Sequence, residues 1–223
     1  MIFYIIISIL IIHFLLERLL SSLNIKNISY TLPQALKGIY EEDKYAKQQE
    51  YFKTNQSFSL ITSIFSFLLI LVFFSLGGFG YLDTYLRIYI EQAILITLTF
   101  FFILFFINDL LDTPFDVYQT FVIEEKFGFN KTTPKTYVAD KLKSYLLLLI
   151  LGGALLWLIV ALYEWIPAYF WILAWVILSV FSVFLNMFYS QLIVPLFNKQ
   201  TPLKKGELRD KIEEFSKKSG FLL

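Results

Sequence analysis

The chain has 223 residues, of which 57% are hydrophobic and 19% aromatic, with 25 Phe but only 9 Gly and a mean hydropathy of +0.65. Its formal net charge is +1, so no bulk basic field points to nucleic acid, and the absence of cysteine excludes a disulfide framework, thiolate catalysis and a cysteine zinc site. A composition this apolar exceeds what a soluble domain of that length carries and places the chain in a membrane.

The charge-free runs predict an all-α, polytopic bundle of about five spans, over residues 2–20, 58–80, 92–111, 144–164 and 168–191. Each approaches the ~20 helical residues that cross a hydrocarbon core of about 30 Å. The first run has no basic segment before it and no A-x-A-like cleavage site after it, so it reads as a retained anchor rather than a signal peptide. After it, Glu41 to Lys53 places acidic residues early and lysines late, with Asp43 and Lys47 spaced for an ion pair; this predicts a surface helix feeding straight into span two. Span two closes at Gly77-Gly78-Phe79-Gly80, and a short polar loop is expected from Asp83 to Glu91.

Span three ends in Asn108, Asp109 and Asp112, polar residues expected to mark the interface. An intramembrane aspartyl dyad would need its second carboxylate from another span, and no other span carries an aspartate. Thr113-Pro114-Phe115-Asp116 is spaced as a new helix start, with Thr as cap and Pro in the first turn. That helix carries Val117, Tyr118, Phe121 and Val122 as an apolar stripe and is expected to stop at Gly128. Thr133-Pro134 restarts a helix that re-enters the membrane as span four. Tyr163-Glu164-Trp165-Ile166-Pro167 predicts a tight hairpin into span five, with Pro167 in the first turn and Tyr163, Trp165, Tyr169 and Trp171 as an interfacial belt. Span five is expected to leave the membrane near Gln191.

The tail breaks at Thr201-Pro202 and resumes as a helix near Glu207, with Leu208, Ile212 and Phe215 on one face. Pairs Glu207–Lys211, Glu213–Lys217 and Glu214–Lys218 stand four apart, Gly220 suits the helix end, and Phe221 is placed to pack on Phe215. The apolar finish at Phe221-Leu222-Leu223 suggests a domain that continues. Eighteen of the 19 Lys and Arg fall before span two, between spans three and four, or in the tail; Arg87 alone falls elsewhere. Five spans put those three segments on one side, which sets the N-terminus outside and the tail in the cytoplasm.

Candidate chemistry is thin. His13, the one histidine, lies within span one and is read as an interior or interfacial residue. There is no H-E-x-x-H, no Gly-rich phosphate loop and no serine elbow, so no catalytic, cofactor-binding or metal-binding residue is assigned.

The polar wording of the loops is more specific than their composition. FVIEEKFGFNKTTPKTYVADKLK (121–143), LPQALKGIYEEDKYAKQQEY in the first loop, LLDTPFDVYQT and SQLIVPLFNKQTPLKKGELRDKIEEFSKKSGF together resemble the type-I CAAX prenyl proteases, in order and over essentially the whole chain. The resemblance implies a seven-span zinc metallopeptidase enclosing an intramembrane chamber. Two histidines of H-E-x-x-H and a downstream glutamate would hold the zinc, and the motif glutamate would act as general base. It implies that residues 1–198 are the transmembrane N-terminal domain and 199–223 the truncated start of the catalytic domain. The metal motif then lies beyond Leu223, and this chain would be inactive alone and bind no zinc.

The partners implied are the bilayer, the catalytic domain with two further spans, and a peptide substrate of CAAX-prenylated or other membrane-associated type. The matched residues Glu124, Lys126, Gly128, Asn130, Pro195 and Asn198 are expected to be structural, with Glu124 and Lys126 as candidates for docking the catalytic domain. A non-catalytic membrane scaffold or pseudoenzyme is the alternative; for a transporter or channel the chain lacks the charged intramembrane residues and broken helices expected of one. The Lys, Ile and Phe richness with short outer loops favours a bacterial cytoplasmic membrane, with the endoplasmic reticulum as the other choice.

Overall fold

A computed structural model describes residues 1–34, 37–39 and 41–220. The fold is all-α. Five helices are long and apolar enough to cross a membrane: α1 (Ile2–Lys26), α2 (Glu42–Ser75), α4 (Ala93–Phe127), α5 (Pro134–Trp165) and α6 (Phe170–Phe197). A short α3 (Gly78–Tyr89) follows α2, and α7 (Glu207–Ser219) forms the tail. The most apolar windows of the five long helices have hydropathies of 2.1 to 2.7, yet at most 6% of each window is buried by the protein. A soluble fold would hide these surfaces; here they are solvated by lipid. The helices group into two compact units, Met1–Tyr137 and Val138–Leu223.

Several boundaries depart from expectation for identifiable reasons. Pro114 starts no helix: it lies inside α4, which runs unbroken through Asp109 and Asp112 to Phe127. A proline inside a spanning helix costs the hydrogen bond to the carbonyl four residues back, and is tolerated where neighbouring backbone can readjust. Here the helix loosens to π geometry at Gln119–Glu124, one turn downstream. The expected polar loop after span two is the helix α3. Gly77 takes φ +72°, which ends α2 at Ser75, and the chain turns at once into α3. Close approach explains Gly78: a Cβ there would lie 2.5 Å from the Phe73 ring. Pro167 sits in the turn between α5 and α6, outside the first turn of α6, with Tyr169 N–H donating to the Ile166 carbonyl.

Elsewhere the helix ends lie at their capping residues. Gly128 (φ +79°) and Gly220 (φ +69°) end α4 and α7 in the left-handed conformation. Thr133 Oγ1 accepts from the Thr136 N–H at the start of α5. The first inner helix runs directly into span two as α2, though Lys44 pairs with Glu41 (2.8 Å) rather than Asp43 with Lys47. In α7, Glu207–Lys211 (2.6 Å) and Glu214–Lys218 (2.8 Å) form as spaced. Glu213 instead accepts from Arg209 (2.7 Å), whose guanidinium also donates to the Leu203 carbonyl and ties α7 to the segment before it. The Arg209 contact holds the Glu213 carboxyl below its ordinary range. Phe221 lies outside the described residues.

The fifth helix passes Gln191 and Pro195 and continues to Phe197, relaxing to π geometry at Tyr189–Ile193. There the Ser190 carbonyl accepts from the Gln200 side chain at 2.9 Å, so the segment leaving the helix folds back on it. A third π segment, Leu148–Gly152, interrupts α5. Such turns free backbone groups and are enriched near functional sites.

Candidate functional site

Within the first unit, α2 and α4 line an open cavity of about 600 Å³. From α2 come Asn55, Ser59, Thr62 and Ser66, spaced four, three and four apart and therefore on one helix face. From α4 come Asn108, Asp109, Asp112, Asp116 and Gln119. Phe58, Phe105 and Phe115 complete the lining. The stripe on α2 runs into its apolar half and faces the acidic stripe Asp109, Asp112 and Asp116 of α4. Polar side chains cost free energy in hydrocarbon, so their convergence on one cavity sets this stretch of the helix pair apart from its lipid-facing surface.

The two stripes are locked together at one end. Gln119 Nε2 donates to Asn55 Oδ1 at 2.7 Å, across 64 residues of chain. Along α4, Asn108 Nδ2 donates to Asp112 Oδ2 at 2.7 Å, and Thr113 Oγ1 donates to the Asp109 carbonyl at 2.6 Å. Aromatic contacts brace the same pair: Phe58 stacks on Tyr118 at 5.1 Å and Phe65 meets Phe115 at 5.0 Å. Ser21 of α1 donates to Gln56 at 2.9 Å, and Phe14 stacks on Phe67 at 4.1 Å, so α1 supports the outside of α2.

The segment after Glu124 closes onto α2. Lys126 pairs with Glu50 at 3.2 Å, while the Tyr51 ring meets Phe127 (5.2 Å) and Phe129 (4.7 Å) edge-on. The Glu124 carbonyl accepts from the N–H groups of Phe129 and Asn130. The Asn130 side chain donates to Glu125 Oε2 and accepts from the Thr132 N–H. With Gly128 left-handed, these contacts make a self-contained turn whose residues hold shape.

Sequence reasoning treated Asn108, Asp109 and Asp112 as interface markers. The structure places them on a cavity with Asp116, which shares their face because α4 continues through Pro114. Their partner stripe was missed. Its signal is the helical spacing of Ser59, Thr62 and Ser66 within span two, continued by Asn55 just before it. His13 stands apart, exposed on α1. No group of three metal-ligating side chains occurs among the described residues. The donor set, without cysteine and with one histidine, does not fit a catalytic zinc, and no step through zinc is assigned to this chain.

A helical pair with a polar inner stripe, closed by the Glu124–Asn130 turn, can be compared with known proteins. A family model described as "CAAX prenyl protease N-terminal, five membrane helices" matches residues 22–199. The chain belongs to that family. The "CAAX prenyl protease 1 homolog" of Arabidopsis thaliana is 34% identical over 200 residues, covering 86% of this chain and 47% of the plant protein. The "Probable CAAX prenyl protease 1" of Schizosaccharomyces pombe is 35% identical over 208 residues, covering 86% and 43%. The crystal structure of S. mikatae Ste24p superposes with a TM-score of 0.86 at 29% identity, over 97% of this chain and 52% of that one. The chain thus spans about half the length of the curated relatives it matches, and this half is the five-helix membrane portion. The matched region contains the α2 and α4 stripes and the closing turn.

Proposed function

We propose that the chain forms one part of the intramembrane chamber of a zinc metalloendopeptidase that cleaves CAAX-type prenylated or other membrane-associated peptides. Support comes from the family match over residues 22–199, together with relatives about twice as long. In this reading residues 199–223 begin the catalytic domain, which supplies H-E-x-x-H, the zinc, the general base and two further spans. The present helices supply a walled, hydrated space at bilayer depth: the polar stripes of α2 and α4 hold water and keep lipid out of it. This chain contributes no metal ligand.

The three basic segments face the cytoplasm and the N-terminus the opposite side, on the charge asymmetry of the loops. The plant and yeast relatives named above lend no support to a bacterial membrane over the endoplasmic reticulum, and the charge argument selects the cytoplasmic face in both.

The test is proteolysis of a farnesylated CAAX peptide, with bound zinc measured alongside. The 223-residue chain is expected to give neither cleavage nor zinc. The protein carrying the region that matches the second half of the relatives should give both, with cleavage abolished by a chelator. Stoichiometric zinc on the 223-residue chain, or cleavage without metal by the longer protein, would overturn the assignment. A coding sequence that stops without an H-E-x-x-H would favour the scaffold reading.

A further inference from the structure

A second cavity lies between α2 and α4 toward their α3 ends, and its chemistry is the opposite of the first. It measures about 1,140 Å³ and is lined almost wholly by apolar side chains, among them Leu69, Phe73, Phe79, Leu82, Phe101 and Leu104. Much of its wall is open to the outside of the protein: Leu68, Val72 and Phe101 are each about half exposed. On the α2 wall the lining runs from Phe65 to Leu76. At 1.5 Å per helical residue that is a depth of about 16 Å. One leaflet of a hydrocarbon core of about 30 Å is of the same depth.

The roof of the groove is α3, and its residues fix the level of the mouth. Tyr81, Tyr85 and Tyr89 follow one another four residues apart, are all exposed, and bring phenol groups to one edge of the helix. Leu86 on the adjoining flank is buried. Asp83 and Arg87 form a two-bonded ion pair (2.7 and 3.0 Å) on the remaining flank. A helix with an aromatic edge, an apolar flank and a charged flank lies at the bilayer interface, with tyrosines at headgroup level. Phe79 seats α3 on α2 through its edge-on contact with Phe73 at 4.8 Å. Gly78 permits that contact.

We propose that this groove is a binding site for a phospholipid of the adjacent leaflet, its acyl chain lying between α2 and α4 and its headgroup beside the α3 tyrosines. Three features select that occupant. The groove is continuous with the lipid-facing surface, its depth is that of one leaflet, and its mouth carries interfacial side chains. A transmembrane segment would have to cross both leaflets, whereas the lining turns polar beyond Phe105 and Asn108, which border both cavities. The inference rests on membrane insertion and on the α2–α3–α4 geometry. It is independent of the protease reading.

The test uses the chain in nanodiscs of phosphatidylcholine doped with phosphatidylcholine that bears a diazirine at mid-acyl depth. Cross-links are mapped by peptide mass spectrometry. Labelling at Leu69, Phe73 and Leu104 should exceed that at the lipid-facing reference positions Ile9 and Leu178 by about tenfold. Leu104→Trp and, separately, Val72→Trp should fill the groove and lower the groove labelling about tenfold, as expected when roughly two methylenes are displaced. Reference labelling should stay unchanged. Equal labelling at groove and reference positions would mean annular lipid only and would overturn the site. Groove labelling below the reference would mean that protein covers the wall, and displacement by farnesylcysteine would mean an isoprenyl site; either result overturns the lipid assignment. The wild-type map decides the matter even if neither tryptophan variant folds.

Discussion

Helices α2 and α4 part from each other twice along their length, and the two gaps are lined by opposite chemistries. Near the Gly128 turn the facing residues are Asn55, Ser59, Thr62 and Ser66 against Asp109, Asp112 and Asp116; near α3 they are Leu69 and Phe73 against Phe101 and Leu104. The changeover occurs within about one turn, between Phe65 and Ser66 on one helix and Phe105 and Asn108 on the other. One helix pair thus presents water-compatible walls over half its length and lipid-compatible walls over the rest. Neither half is filled by side chains, which distinguishes both from a packed interface. The polar half is held by the Gln119–Asn55 hydrogen bond and the Phe58–Tyr118 stack, the apolar half by α3 wedged on Phe73.

The sharpest way to break this comparison exploits the absence of cysteine. Single cysteines at Ser59, Thr62 or Ser66 should react with a water-soluble maleimide about a hundredfold faster than cysteines at Leu69 or Val72, because an apolar wall disfavours the reactive thiolate and excludes the reagent. Equal rates would erase the distinction between the two cavities. Next in size is Gly128→Val. Nothing lies within 4 Å of its added Cβ, so the cost comes from forcing a β-branched residue to φ +79°. A loss of about 1–3 kcal/mol is expected by thermal unfolding in detergent. Gly128→Asn should recover much of it, since Asn tolerates the left-handed region.

A smaller effect tests the latch. A double-mutant cycle of Asn55→Ala and Gln119→Ala should give a coupling of about 0.6–1 kcal/mol, in the range measured for interhelical hydrogen bonds in membranes. Zero coupling would mean that this hydrogen bond contributes nothing to holding the two helices together. The smallest concerns α3. The Arg87 hydrogen bond, with its charge, holds the Asp83 carboxyl below its ordinary value of 3.8. The stabilisation is therefore present above pH 3.8 and lost as pH falls through the lower folded value. Hydrogen exchange of residues 78–89 should quicken over that acid window, only slightly because the pair is exposed, and Asp83→Asn should remove the dependence.

How legible this was from sequence can be judged residue by residue. Gly128, Gly220 and Thr133 act through their own backbone or the next few residues, so spacing alone located those helix ends. Pro114 shows the limit. Its local signal for a helix start was sound, but a span that must satisfy its own backbone groups in lipid continues through it and relaxes downstream at Gln119. At Asp83 the charges signal a loop, whereas the spacing of Tyr81, Leu82, Tyr85 and Leu86 around them is that of the helix α3. Glu213 changed partner from Lys217 to Arg209 because Arg209 gains a second acceptor at the Leu203 carbonyl.

By itself the sequence determined that the chain is a five-span membrane protein of the CAAX prenyl protease N-terminal family. Uninterrupted apolar length follows from bilayer thickness, and the polar words of the loops are written in residue identity. Only the tertiary structure decided that the stripe from Asn55 to Ser66 faces the carboxylates from Asp109 to Asp116, and that the same helices open an apolar groove beneath α3. A stripe's partner depends on the rotation and separation of two helices far apart in the chain. Those are set by side-chain packing such as Phe58 on Tyr118 and Phe73 on Phe79, which no periodicity encodes.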